Sequence, residues 1–116
     1  MTIRLLLVHG SCHAAWCWRD LLPHLDRTGV EARAIDLPAH GDDRTDPAQA
    51  SLAGYGSAIL DDITEPTILV GHSAGGFPIT AAAEAAQGQV AGLIYLCAYI
   101  PRPDQSVADL RRALGP

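Results

Sequence analysis

Four apolar runs punctuate the chain, and stretches with helical spacing lie between them. Ile3-Arg4-Leu5-Leu6-Leu7-Val8 predicts a first buried strand. From Ala14 to about Arg27, Trp18, Leu21, Leu22 and Leu25 recur on one helical face, with Pro23 as a kink and Thr28-Gly29 as the stop. Val30 to Leu37 alternates apolar and polar residues, which predicts a second strand less buried than the first. Pro38 to Pro47 is a polar loop of turn-forming residues. A moderately amphipathic helix over Ser51 to about Ile63 turns Leu52, Tyr55, Ile59, Leu60 and Ile63 toward the sheet, and Glu65-Pro66 breaks the chain after it.

The third run, Thr67-Ile68-Leu69-Val70, leads straight into Gly71-His72-Ser73-Ala74-Gly75-Gly76 and an Ala-rich helix from Phe77 to about Gln87. Gly92 to Cys97 predicts a fourth strand, Ala98 to Pro103 a loop, and Ser106 to Leu114 a short helix. Strands alternating with helices predict an α/β fold with a parallel sheet and right-handed crossovers. At 116 residues the chain is one domain, without repeats, linkers or low-complexity segments.

Composition narrows the function classes. The net charge of −5 offers no basic surface to nucleic acid or anionic lipid. Every basic residue is Arg, so Schiff-base chemistry at a lysine is excluded. Apolar runs stay short of a membrane span. Cys12, Cys17 and Cys97 are an odd set, and Met1-Thr2-Ile3-Arg4 runs directly into a strand without the marks of a secretory leader; free thiols in a reducing cytoplasm are expected. Cys12, His13 and Cys17 lack a second ligand pair of metal spacing, so neither a metal nor another cofactor is expected.

The chemistry concentrates at Gly71-His72-Ser73-Ala74-Gly75, which matches G-x-S-x-G between a strand and a helix. That context lifts a serine hydroxyl out of the carboxyl edge of the sheet, and Gly71 and Gly75 leave room where a Cβ would crowd a neighbouring strand or helix. The helix N-terminus behind Ser73 offers free N–H groups to a developing oxyanion. A phosphate-cradling turn is disfavoured, because Gly71-x-Ser73-x-x-Gly76 lacks the middle glycine of the dinucleotide fingerprint and no acidic residue ends the next strand.

Two motifs together carry a family resemblance. Leu7-Val8-His9-Gly10-Ser11-Cys12-His13-Ala14-Ala15-Trp16-Cys17-Trp18 and Val70-Gly71-His72-Ser73-Ala74-Gly75-Gly76 resemble the α/β-hydrolase fold, in the branch of plant methyl esterases and hydroxynitrile lyases. Ala34-Ile35-Asp36-Leu37-Pro38-Ala39-His40-Gly41 resembles that family's strand-end loop, and Tyr95 to Pro101 the strand leading into its lid. The resemblance implies a three-layer α/β-hydrolase-type parallel sheet with flanking helices, incomplete at about four strands, in the order second, first, third, fourth. It implies Ser73 as nucleophile, the backbone N–H groups of Ser11 and Ala74 as an oxyanion hole, Gly10 and His72 as substrate-binding positions, and a small-molecule ester as substrate. Gly10 and His72 are the esterase-like choices where the lyase pattern carries threonine and glutamate.

One departure matters. The fold orders its triad Ser, then Asp or Glu, then His, and no histidine follows Ser73 in this sequence. Asp104 and Asp109 stand where the lid begins, so neither is a triad acid. Residues 1–116 are therefore expected to be the N-terminal part of a hydrolase domain, without lid and C-terminal strands. Such a chain is inactive or weakly active, or else a non-catalytic remnant that binds a partner. His72 is expected to point away from the Ser73 hydroxyl, and His13, His24 and His40 to be surface or loop histidines. The fourth strand is expected to leave Leu93, Ile94 and Leu96 partly exposed, a route to self-association.

Overall fold

A computed structural model describes residues 2–102. Its four strands, β1 (Arg4–Val8), β2 (Glu31–Ile35), β3 (Thr67–His72) and β4 (Val90–Leu96), form one sheet in the order β2-β1-β3-β4. Every neighbouring pair is parallel, with Leu7 opposite both Ala34 and Val70, and Val8 opposite Gly71. The expected order and direction are therefore the observed ones. Parallel strands are covered on both faces, which explains the near-continuous apolar runs of β1 and β3.

Strand alternation splits the core into two layers. Leu6, Val8 and Leu69 pack with Leu37, Ile59, Ile63, Ile79 and Ala82 on the side of α2 (Leu52–Asp61) and α3 (Gly76–Ala85). Leu7 and Val70 face the other way, onto Trp18, Leu22 and Leu25. Fully burying each such side chain contributes about 1.5–3 kcal/mol. The second strand is less buried than the first, as its alternation predicts.

The first helical segment departs from expectation. It divides into a 3-10 turn at Ala15–Trp18 and the short helix α1 (Leu22–Arg27), with Pro23 in the first turn of α1. Proline begins this helix instead of kinking one, because its missing N–H is unneeded there. The break also takes Leu21 off the core face, leaving it 39% exposed. Helix α2 starts after Ser51, whose Oγ accepts the Gly54 N–H at 3.0 Å. Its N-terminal Leu52 stays exposed, while Ile59 is buried.

Strand β4 begins at Val90, two residues before the expected start, and lies at one end of the sheet. Leu93 is half-buried and Ile94 and Leu96 are exposed, as expected of an uncovered edge. The short helix expected over Ser106 to Leu114, with Asp104 and Asp109, lies outside the described residues. Among the described residues no helix is long and apolar enough to cross a membrane.

Candidate active site

Parallel β1 and β3 deliver their exits to one edge of the sheet, so the two glycine-bearing turns meet there. At the end of β3, Ser73 takes a left-handed backbone conformation, φ 56°, and opens a 3-10 turn that runs into α3. A non-glycine residue stays in this region only when its surroundings hold it. Close backbone packing does so here. A Cβ on Gly75 would stand 2.7 Å from the Val8 carbonyl oxygen and 2.8 Å from that of His9, and one on Gly71 would stand 2.6 Å from the Gly75 carbonyl oxygen. The Tyr99 N–H, from the segment after β4, donates to the Ser73 carbonyl at 3.1 Å.

The exit of β1 lies directly against this turn. A Cβ on Gly10 would sit 2.9 Å from the His72 carbonyl oxygen and 3.6 Å from Ser73 Oγ. Gly10, Ser11 and Ala74 line one cavity of about 430 Å³, walled by Leu37, Leu52, Tyr55, Phe77 and Pro78. The volume is that of a small-molecule site. Ser73, Ser11, Ala74 and Gly10 are thus gathered at one place. His72 is not gathered with them. It shares a strand face with Val70, and its ring meets Trp18 at 6.2 Å and His13 at 6.4 Å, edge-on in both cases. The alternation of strand side chains turns it away from the cavity.

Two histidines near the cavity differ in what they have free. His9 is 1% exposed; Nδ1 lies 2.9 Å from the Gly10 carbonyl, and Nε2 accepts the Leu37 N–H at 3.1 Å. Nδ1 therefore carries the proton and donates it, so both ring nitrogens are committed. Burial pushes its pKa below the ordinary 6.5. His40 lies tilted against it, ring centres 4.9 Å apart, and meets the Tyr55 ring edge-on at 6.0 Å. Its Nδ1–H donates to the Pro38 carbonyl at 3.0 Å, and it lines the cavity. His40 is half-buried, a loop histidine as expected but one that reaches the site; His13 and His24 are exposed.

Asp36 escaped the sequence reading. Its Oδ1 accepts the Ala15 N–H at 2.8 Å and its Oδ2 the Asp42 N–H at 3.0 Å, so one carboxylate ties the loop carrying Ser11 to the loop carrying His40. An acidic residue ending an alternating strand, just before a proline loop, was the available signal. Leu52 and Tyr55 share one face of α2, but nothing local brings that face together with Leu37 and Phe77, which come from separate segments.

Residues 5–116 match the model of the Alpha/beta hydrolase family. Methylesterase 4 of Arabidopsis thaliana is 34% identical over 105 residues, covering 84% of this chain and 40% of that protein. Methyl jasmonate esterase 1 of Vitis vinifera is 33% identical over 116 residues, covering 94% of this chain and 44% of that protein. The crystal structure of polyneuridine aldehyde esterase superposes with a TM-score of 0.81 at 28% identity, over 93% of this chain and 45% of that one. The chain thus spans less than half the length of these relatives.

Proposed function

The chain belongs to the alpha/beta hydrolase family, and from that premise we propose that it carries the nucleophile half of a serine-dependent carboxylic ester hydrolase. The observation that carries this reading is Ser73 at φ 56° between β3 and α3, with Gly10 packed against its side chain. Ser73 Oγ attacks the ester carbonyl carbon, and the charge forming on the carbonyl oxygen is met by the backbone N–H groups of Ser11 and Ala74. Collapse expels the alcohol and leaves an acyl-enzyme that water hydrolyses. The esterase names of the relatives support a small-molecule ester as substrate.

The Ser73 proton needs an acceptor. His9 has both ring nitrogens engaged, His72 lies on the other face, and no histidine follows Ser73 in the sequence; His40 keeps a free Nε2 in the cavity wall, but among the described residues no hydrogen bond joins it to Ser73 Oγ. The 116-residue chain alone is therefore a slow catalyst, held to the roughly 10³ to 10⁴ over water that an oxyanion hole and binding supply without a base. A fluorophosphonate probe at high concentration and long incubation, with peptide mapping, tests the assignment: modification without a base is slow, and is expected at Ser73 and absent in Ser73→Ala. Modification that maps elsewhere and proceeds equally in Ser73→Ala removes Ser73 from the role. An ordinary esterase rate on aryl acetates from the intact chain overturns the low-activity part.

A second reading has its own support. Ile94 and Leu96, each 44% exposed on an end strand, suit a non-catalytic module that self-associates through its sheet edge.

A further inference from the structure

The cavity beside Ser73 has apolar walls and one side chain whose hydrogen-bonding state is settled by its neighbours. Because the Pro38 carbonyl can only accept, the His40 Nδ1 must donate, and in the neutral ring Nε2 is left as an acceptor. Among the described residues no hydrogen bond engages that atom, while the Nε2 of His9 beside it is filled by Leu37. The tilted contact with His9, the edge contact with Tyr55 and the bond to Pro38 hold the ring in the cavity wall.

We propose that His40 is a specificity residue: its Nε2 accepts a hydrogen bond from a hydroxyl on the acyl part of a neutral substrate whose carbonyl lies at Ser11 and Ala74. The inference rests on the ester-hydrolase reading of the cavity and names the substrate class as hydroxyl-bearing, largely apolar acyl groups. An apolar wall alone separates such a compound from its deoxy analogue weakly, whereas an acceptor that the bound ligand covers and leaves without a donor discriminates more strongly.

The test uses non-hydrolysable methyl ketones and the full chain: 4-phenylbutan-2-one and its three hydroxyphenyl isomers, titrated by calorimetry and by amide NMR shifts. At least one isomer is expected to bind about tenfold tighter than the deoxy ketone, with shifts at Tyr55 and Phe77. His40→Phe is expected to close that gap to within about twofold, read as the ratio of the two affinities within the same variant, and His40→Gln, whose amide oxygen still accepts, to keep part of it. The proposal is overturned if no isomer gains over the deoxy ketone, if the gain survives His40→Phe, or if no ketone shifts the cavity residues. Binding is read without any reaction at Ser73, so failure of the nucleophile assignment shows separately, as fluorophosphonate modification that maps elsewhere and persists in Ser73→Ala.

Discussion

The buried imidazole of His9 holds the backbone N–H of Leu37 on Nε2 at 3.1 Å, joining the exit of β1 to the exit of β2. A side chain here does what a ladder hydrogen bond does within the sheet, past the point where the strands diverge. The bond needs a neutral ring with its proton on Nδ1, and burial favours that form by depressing the pKa.

Stability should therefore fall on acidification. Above the ordinary value of 6.5, His9 is neutral folded or unfolded and its contribution is complete. As pH drops below that value the unfolded chain takes up a proton that the native state refuses, and stability declines toward the depressed native pKa. Urea melts between about pH 7.5 and about pH 5.5 should show this loss. His9→Gln, which does not titrate, should flatten the slope; equal slopes for the two proteins would remove His9 as the cause.

Removing the Asp36 carboxylate should loosen both loops at the cavity. Asp36→Ala strips the partner from the Ala15 and Asp42 N–H groups, at a cost of about 1–3 kcal/mol, most of it at the less exposed Ala15. Amide hydrogen exchange should accelerate at Ala15 more than across β1. Unchanged protection at Ala15 would show that the loop is held by other contacts.

At Gly75 a methyl group meets the carbonyl oxygens of Val8 and His9, which are backbone and cannot rotate away. Gly75→Ala should cost about 1–3 kcal/mol by overpacking and slow fluorophosphonate modification of Ser73 as the turn tilts. Gly88→Ala is the control, since nothing lies within 4 Å of the added carbon. Similar effects from both substitutions would deny the packing argument.

If the β4 edge associates with a second copy, sedimentation velocity should show a concentration-dependent rise in mass. Ile94→Lys places a charge on that exposed position and should return the chain to monomer. A wild-type chain that is monomeric throughout the range contradicts the second reading.

The sheet was legible because β1 and β3 are buried on both faces, and an uninterrupted apolar run admits few other placements. Ser73 was legible for a related reason: its turn needs glycines at set positions, and these stand next to each other in the chain. The split of residues 14–27 was not, because Trp18, Leu22 and Leu25 satisfy one apolar stripe whether the backbone is a continuous helix or a 3-10 turn followed by a shorter one. The cavity was legible least. Leu37 and Phe77 look like any core residues, and the role of His40 depends on which ring nitrogen the Pro38 carbonyl occupies, a fact of geometry with no local trace in composition.

The hydrogen bond from Tyr99 to Ser73 has a consequence for the order in which the protein is made. Synthesis delivers β3 and its turn first, and the donor that braces the turn leaves the ribosome only after another 26 residues. At about 5–20 residues per second that is an interval of roughly one to five seconds. Throughout it the Ser73 carbonyl lacks this donor, and α3 has no β4 to rest on. The turn at Ser73 is thus completed by a residue 26 positions later, and a nascent chain halted before Tyr99 carries the serine without this brace.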